Sequence, residues 1–206
     1  MTRQVILASG SPRRKDLLAQ MGVTFTAVTS DFDEQLDHAR PATEVAKELG
    51  LGKARTVAEK YPEALVIGGD TIVTLDGKQL GKATGLADAR ALLKAHAGKT
   101  VVVTSSVVLV CKALGLEIAE ADEATVQFKP YNEAANETYL ASGDWADKAG
   151  AWGIQSGAAP LIRHMHGRYD TVLGMPTHML AELLQAQGIA AHPLEPTPPV
   201  PQNPQK

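Results

Sequence analysis

Three features of this 206-residue chain predict a single α/β domain, a mixed twisted sheet flanked by helices. Apolar, β-branched runs alternate with segments of helical spacing along most of the sequence. An Asp76-Gly77 dipeptide between two strand-like runs marks a hairpin, so the sheet has antiparallel as well as parallel pairs. Hydrophobic residues make up 44 % of the chain, enough for one sizeable core. The domain is expected over residues 1–192.

In chain order, Val5 to Ala8 is a short continuous apolar run, the pattern of a buried strand. Leu17, Leu18 and Met21 recur at helical spacing and make Arg13 to Met21 a helix, with Ser11 as N-cap and Pro12 at the first helical position. Phe25 to Thr29 is a second strand. Thr43 to Lys60 has helical spacing but contains Gly50 and Gly52, each costing a helix interior about 1 kcal/mol relative to alanine. Either the helix is interrupted there or close packing excludes a Cβ. Ala64 to Leu75 is the next strand, and Lys78 to Leu80 returns from it across the Asp76-Gly77 turn. After a helix over Ala87 to His96, the valine-rich run Thr100 to Cys111 is a central strand. Leu116 to Phe128 alternates enough for one half-solvated face. Asn132 to Ser142 and Thr177 to Gln187 have helical spacing, with a strand over Ala159 to His166 between them. Residues 193–206 hold six prolines and little to bury, which predicts a disordered or extended tail.

Composition narrows the function. A formal net charge of -3 gives no general basic surface for nucleic acid. No run approaches the roughly 18 apolar residues of a membrane span, and the apolar part of the N-terminus is too short for a signal peptide. A cytoplasmic protein without nucleic-acid or membrane partners is expected. Cys111 is the only cysteine and lies in an apolar run, so no internal disulfide forms and a buried thiol is expected. The sequence has no G-x-x-x-x-G-K-[ST], G-x-G-x-x-G, C-x-x-C or H-E-x-x-H, and no nucleophile-elbow motif. His164 and His166 alternate along a strand as solvated side chains do.

The chemistry concentrates in a few places. After the first strand, Ser9-Gly10-Ser11-Pro12-Arg13-Arg14 forms an anion-binding turn: backbone N–H groups at the positive end of a helix, with two guanidiniums beside them. A polyphosphate ligand also needs a divalent cation held by carboxylates, and Asp31-Phe32-Asp33-Glu34 and Gly68-Gly69-Asp70-Thr71 supply them. Asp70 is the stronger of these, because a lone acid between two glycines and a β-branched run is poorly explained as a solvated face. Lys53 and Lys82 are the basic partners. In Asp147-Lys148-Ala149-Gly150-Ala151-Trp152-Gly153-Ile154-Gln155, the Gln155 amide offers a donor and an acceptor to a base edge and Trp152 a stacking face or a core anchor.

Taken in order, these blocks, with Val172-Leu173-Gly174-Met175-Pro176, resemble the Maf family of nucleoside triphosphate pyrophosphatases, in particular its dTTP- and UTP-preferring subgroup. The resemblance implies two lobes around a central cleft, a relation to the inosine triphosphate pyrophosphatase fold, a cytoplasmic homodimer and a divalent metal, Mg²⁺ or Mn²⁺. The chain departs from the family pattern at Ala83, Thr100, Ser105, Trp152 and Ser156. The expected reaction is hydrolysis of a nucleoside triphosphate between the α- and β-phosphates. Arg13, Arg14 and the Ser9–Ser11 backbone are assigned to the phosphates, Lys53 and Lys82 to charge on the leaving pyrophosphate, and Gln155 to the base. Glu34 and Asp70 are assigned to the metal, with Asp70 also activating the water. Two alternatives stand beside it: a nucleotide-binding regulator of septum formation without turnover, and clearance of modified purine triphosphates.

Overall fold

The computed structural model describes residues 3–33, 37–155 and 157–195. The first half of the chain runs β1 (Val5–Leu7), α1 (Pro12–Gln20), β2 (Thr26–Ala27), α2 (Ala42–Lys60), β3 (Leu65–Gly68), β4 (Thr71–Leu75), β5 (Lys78–Leu80) and α3 (Leu86–His96). The second half runs β6 (Thr100–Cys111), β7 (Leu116–Phe128), α4 (Glu133–Ser142), β8 (Ile162–His166), α5 (Tyr169–Leu173) and α6 (Thr177–Ala186). One mixed sheet joins all the strands in the order β2-β1-β3-β6-β4-β5, with β7 along β6 and β8 beyond it. β1 is parallel to β2 and β3, and the remaining pairs are antiparallel.

Both faces of the sheet centre are buried, which is why its strands are continuously apolar. Leu7, Ile67 and Leu109 point into one core with Leu18, Met21 and Leu180. The alternate residues Ile6, Val66 and Val108 meet Ala54 and Val57 of α2 on the other face. β7 has the predicted half-solvated face over its second part, where Ala124, Val126 and Phe128 are buried and Thr125 and Gln127 half-buried, while no residue of Leu116 to Glu123 is buried. His164 and His166 of β8 are exposed, with Met165 buried between them. Cys111 is a buried free thiol whose Sγ accepts from Arg3 Nη1 at 3.7 Å. No helix among the described residues is long and apolar enough to cross a membrane.

The structure departs from the sequence reading in two places and, at α2, decides between the two alternatives left open there. First, Ala64 to Leu75 is two strands. β6 pairs with β7 along one whole edge, so β3 and β4 lie end to end on its other edge, in one register. The ladder opens between them, where Asp70 N–H donates to Ser106 Oγ at 2.9 Å in place of a backbone carbonyl. The helix α2 is uninterrupted. A Cβ on Gly52 would lie 2.3 Å from the Phe32 ring, and one on Gly50 would lie 2.9 Å from Ser106 Oγ, so close packing accounts for both glycines. The second departure is α5, which was not foreseen: its five residues are too few to show helical periodicity.

Of the expected tail, Pro193 to Glu195 are described, and residues 196–206 lie outside the described residues. Leu194 packs on the core, its N–H donates to Thr177 Oγ1 at 3.0 Å, and its carbonyl accepts from Arg168 Nη2 at 2.7 Å.

Candidate active site

A cavity of about 970 Å³ opens where the β1–α1 loop, the β3–β4 break, α2, the segment after β5 and the loop before β8 converge. Ser9, Ser11, Arg13, Arg14, Lys53, Asp70, Lys82 and Gln155 all line it. Glu34 lies outside the described residues. The cavity wall carries five cationic side chains, the four above and Lys148, against the carboxylates of Asp70 and Asp147 among the described residues. Ile72, Leu80, Val103, Trp152 and Ile154 form an apolar part of the wall. An excess of cations beside an apolar surface suits a ligand with a polyanionic end and a planar, weakly polar end.

Asp70 and Lys53 are buried in the cavity wall. Each is less than a tenth exposed, and Lys53 Nζ donates to Asp70 Oδ1 at 2.6 Å. The opened ladder fixes Asp70: its N–H reaches Ser106 Oγ, and its carbonyl accepts from Ser106 N at 2.9 Å. Ser106 Oγ in turn donates to the Ala46 carbonyl of α2 at 2.7 Å, so one hydroxyl ties the helix to the residue that carries the carboxylate. Gly69 is required for this approach, since a Cβ there would lie 2.4 Å from the Ser106 carbonyl oxygen.

The β1–α1 loop is partly closed on itself. Ser11 is the N-cap of α1 with Pro12 following, but its side chain makes no capping bond. Ser11 N–H donates to Ser9 Oγ at 3.2 Å and Ser9 N–H to the Leu7 carbonyl at 2.9 Å. These two of the three expected anion-binding amides therefore already have partners. The two arginines differ: Arg13 is half-exposed at the cavity, whereas Arg14 is buried. Arg14 Nε donates to the Gly174 carbonyl at 2.9 Å, Nη2 to Thr71 Oγ1 at 3.0 Å and Nη1 to Ser9 Oγ at 3.4 Å.

The opposite wall is the loop Asp147 to Gln155, whose shape needs positive φ at Asp147 (59°), Gly150 (69°) and Ala151 (61°). Several groups hold it there. Gly150 N–H donates to the Gly81 carbonyl at 2.9 Å, and Ala149 forms an antiparallel bridge with Lys82. His96 Nε2 lies 2.9 Å from the Gly150 carbonyl, which can only accept, so this nitrogen carries the proton. Burial holds the His96 imidazole down at about 4 despite that bond, so it is neutral at pH 7. Gly153 N–H donates to Tyr139 Oη at 3.1 Å, and burial pushes that phenol up to about 12. Trp152 packs edge-on against Phe128 with ring centroids 5.3 Å apart. It is a core anchor that also lines the cavity. Gln155 is exposed at the cavity. Burial, and after it the charge of Arg13, lowers the Lys148 ammonium below the usual lysine range.

The sequence reading gave no role to Thr71, Lys148 or the Ser105-Ser106 pair. For the serines the signal was present: two adjacent hydroxyls inside an otherwise valine-rich central strand, each needing a partner once buried.

The family described as Maf-like protein matches residues 4–187 of this chain. The dTTP/UTP pyrophosphatase of Symbiobacterium thermophilum is 40 % identical over 186 residues, covering 90 % of this chain and 95 % of that protein. The dTTP/UTP pyrophosphatase of Deinococcus radiodurans is 39 % identical over 188 residues (91 % and 95 %), and that of Dictyoglomus thermophilum 38 % over 189 residues (91 % and 98 %). With the fold, these similarities along almost the entire sequence establish that the chain belongs to the Maf family.

Proposed function

We propose that this protein hydrolyses dTTP and UTP between the α- and β-phosphates, releasing the nucleoside monophosphate and pyrophosphate. The observation that carries the reading is the convergence of Arg13, Arg14, Lys82 and the Lys53–Asp70 pair on one cavity with an apolar wall. A bound triphosphate brings about three to four negative charges at pH 7, which a partly desolvated site must match with fixed cations.

In the proposed reaction water attacks the α-phosphorus, the bond to the α–β bridging oxygen breaks, and pyrophosphate leaves. Asp70 accepts the proton of the attacking water, and Lys53 holds the carboxylate in place through the 2.6 Å bond. Arg13 and Arg14 bind phosphate oxygens, Lys82 meets the charge that grows on the leaving pyrophosphate, and Gln155 contacts the base edge. No group of three or more His, Cys, Asp or Glu side chains is gathered among the described residues. The Asp70 carboxylate in the cavity wall fits Mg²⁺ or Mn²⁺ carried in on the substrate, which needs only one or two carboxylates besides phosphate oxygens. Asp70 and Glu34 are the residues to hold it, and when bound it neutralises phosphate charge and acidifies water. A homodimer in the cytoplasm belongs to the same proposal.

Pyrophosphate release from dTTP, UTP, CTP, 7-methyl-GTP and ITP, with Mg²⁺ or Mn²⁺, tests it. Release from dTTP and UTP that falls by about a hundredfold or more in Asp70→Asn is the expected result. Preference for ITP would instead support clearance of purine triphosphates, and binding without release would support a regulatory module.

A further inference from the structure

The hydroxyl of Thr71 stands between the cavity and the sheet, and its hydrogen bonds have one possible direction. Ser105 Oγ lies 2.7 Å from the Thr171 carbonyl oxygen, which can only accept, so the single proton of Ser105 points there. Ser105 Oγ also lies 3.0 Å from Thr71 Oγ1, and with its own proton committed it must accept from Thr71. Arg14 Nη2, which can only donate, then reaches the Thr71 oxygen at 3.0 Å. The protons therefore run one way, from Arg14 to Thr71 to Ser105 to the Thr171 carbonyl. Ser105 and Thr171 are fully buried, so water does not compete for these bonds.

This chain fixes one edge of a guanidinium. Arg14 Nε and Nη2 are on that edge, bonded to the Gly174 carbonyl and to Thr71, and Nη1 faces Ser9 in the loop lining the cavity. Space around the edge is tight: a Cβ on Gly174 would lie 2.9 Å from Thr71 Oγ1. Without the acceptor on Ser105, the Thr71 proton would have to seek another partner. The lone pair that holds Arg14 would then no longer be set in one direction.

We propose that Ser105 is a positioning residue for the phosphate end of the cavity: it accepts the hydrogen bond of the Thr71 hydroxyl and thereby orients Arg14 toward the substrate. The assignment of Arg14 to phosphate rests on the hydrolysis proposed above. Ser105 itself does not line the cavity.

The test is a double-mutant cycle of Ser105→Ala, Thr71→Val and both together. It is read as kcat and KM for dTTP, as the affinity for inorganic tripolyphosphate by calorimetry, and as the melting temperature. Ser105→Ala should lower kcat/KM about tenfold, mainly through KM, and weaken tripolyphosphate by a similar factor, the size of one net hydrogen bond to a charged group. In the Thr71→Val background the same substitution should leave KM and tripolyphosphate affinity unchanged, although it still removes the donor to the Thr171 carbonyl and still lowers the melting temperature. That split separates positioning from a merely structural role. Unchanged KM and affinity in Ser105→Ala, or losses that multiply in the double variant, would overturn the proposal. Ser105→Cys, which preserves most of the volume with a weaker acceptor, should lie between wild type and Ala and serves if Ala does not fold. If the wild type releases no pyrophosphate, the hydrolytic reading falls, and the tripolyphosphate affinities still decide the role of Ser105.

Discussion

Lowering the pH should unfold this protein partly through one histidine, and the size of that effect follows from its surroundings. His96 is fully buried, its Nε2–H donates to the Gly150 carbonyl, and its Nδ1 has no partner among the described residues. Protonation would place an unpaired N–H and a charge in the core, so burial holds the group at about 4 instead of 6.5. Between these values the unfolded chain binds a proton that the folded chain does not. Stability from this group is therefore intact above about pH 6.5 and is lost as the pH falls toward 4. The full gap, at about 1.4 kcal/mol for each pH unit, corresponds to about 3 kcal/mol, most of which is lost by pH 4.5. Urea unfolding of wild type and His96→Gln at pH 7.5 and pH 4.5 isolates it, because the Gln Nε2 can still donate to Gly150 but does not titrate. The wild type should lose about 2–3 kcal/mol more than the variant over that interval. Parallel losses in the two proteins would refute the argument.

Other substitutions probe the site and its supports. Gly52→Ala gains helix propensity but drives a Cβ into the Phe32 ring, so a net loss of about 1–3 kcal/mol is expected in thermal unfolding, partly recovered by Phe32→Leu. Lys53→Met removes the ammonium bonded to the buried Asp70 carboxylate and should destabilise by about 3 kcal/mol, with Lys53→Met/Asp70→Asn more stable than Lys53→Met alone in denaturant titrations. Gln155→Ala, at the cavity surface, should raise KM for both dTTP and UTP with no change in melting temperature. Gly50→Ala drives a Cβ against Ser106 Oγ and the Gly69 backbone, so it should lower the melting temperature and, by shifting α2 off the β3–β4 break, also reduce kcat, measured as pyrophosphate release beside a thermal melt.

The sequence was most legible where pattern and environment agree. Thr100–Cys111 and Leu116–Phe128 coincide with β6 and β7, because long central strands need unbroken apolar or alternating runs. The Asp76-Gly77 hairpin is also where the turn chemistry places it, with Asp76 at φ 49° and Gly77 at φ 78°. Every residue given a site role from the sequence within the described residues lines the cavity, because glycines, paired cations and isolated acids at element ends are local signals, whereas Asp31 and Asp33 of the other acidic cluster do not line it. Long-range pairing was not legible. Nothing local to Arg14 indicates that its guanidinium bonds to residues 71 and 174, and nothing local to Ser11 indicates that its amide turns back to Ser9. Gly50 and Gly52 showed that something was unusual in the helix, but only the position of Phe32 and Ser106 decides between a break and a close contact.

That close contact explains the geometry of the Lys53–Asp70 pair. A helix normally packs on a sheet with side chains between the two backbones, and a lysine and an aspartate facing each other across that space need not meet at one fixed distance. Here the intervening side chains are missing at one crossing. A Cβ on Gly68 would lie 2.6 Å from the Gly50 carbonyl, and one on Gly50 would lie 3.2 Å from the Gly69 Cα, so the two backbones touch. Lys53 is three residues beyond Gly50, on the same side of α2, and Asp70 directly follows Gly69. The opened β3–β4 ladder keeps Asp70 at the crossing through Ser106, which also bonds α2 at Ala46. Glycines that weaken a helix and a strand by themselves thus set the 2.6 Å separation of Lys53 and Asp70, and the local stability lost at these positions holds the carboxylate in the place that the proposed proton transfer needs.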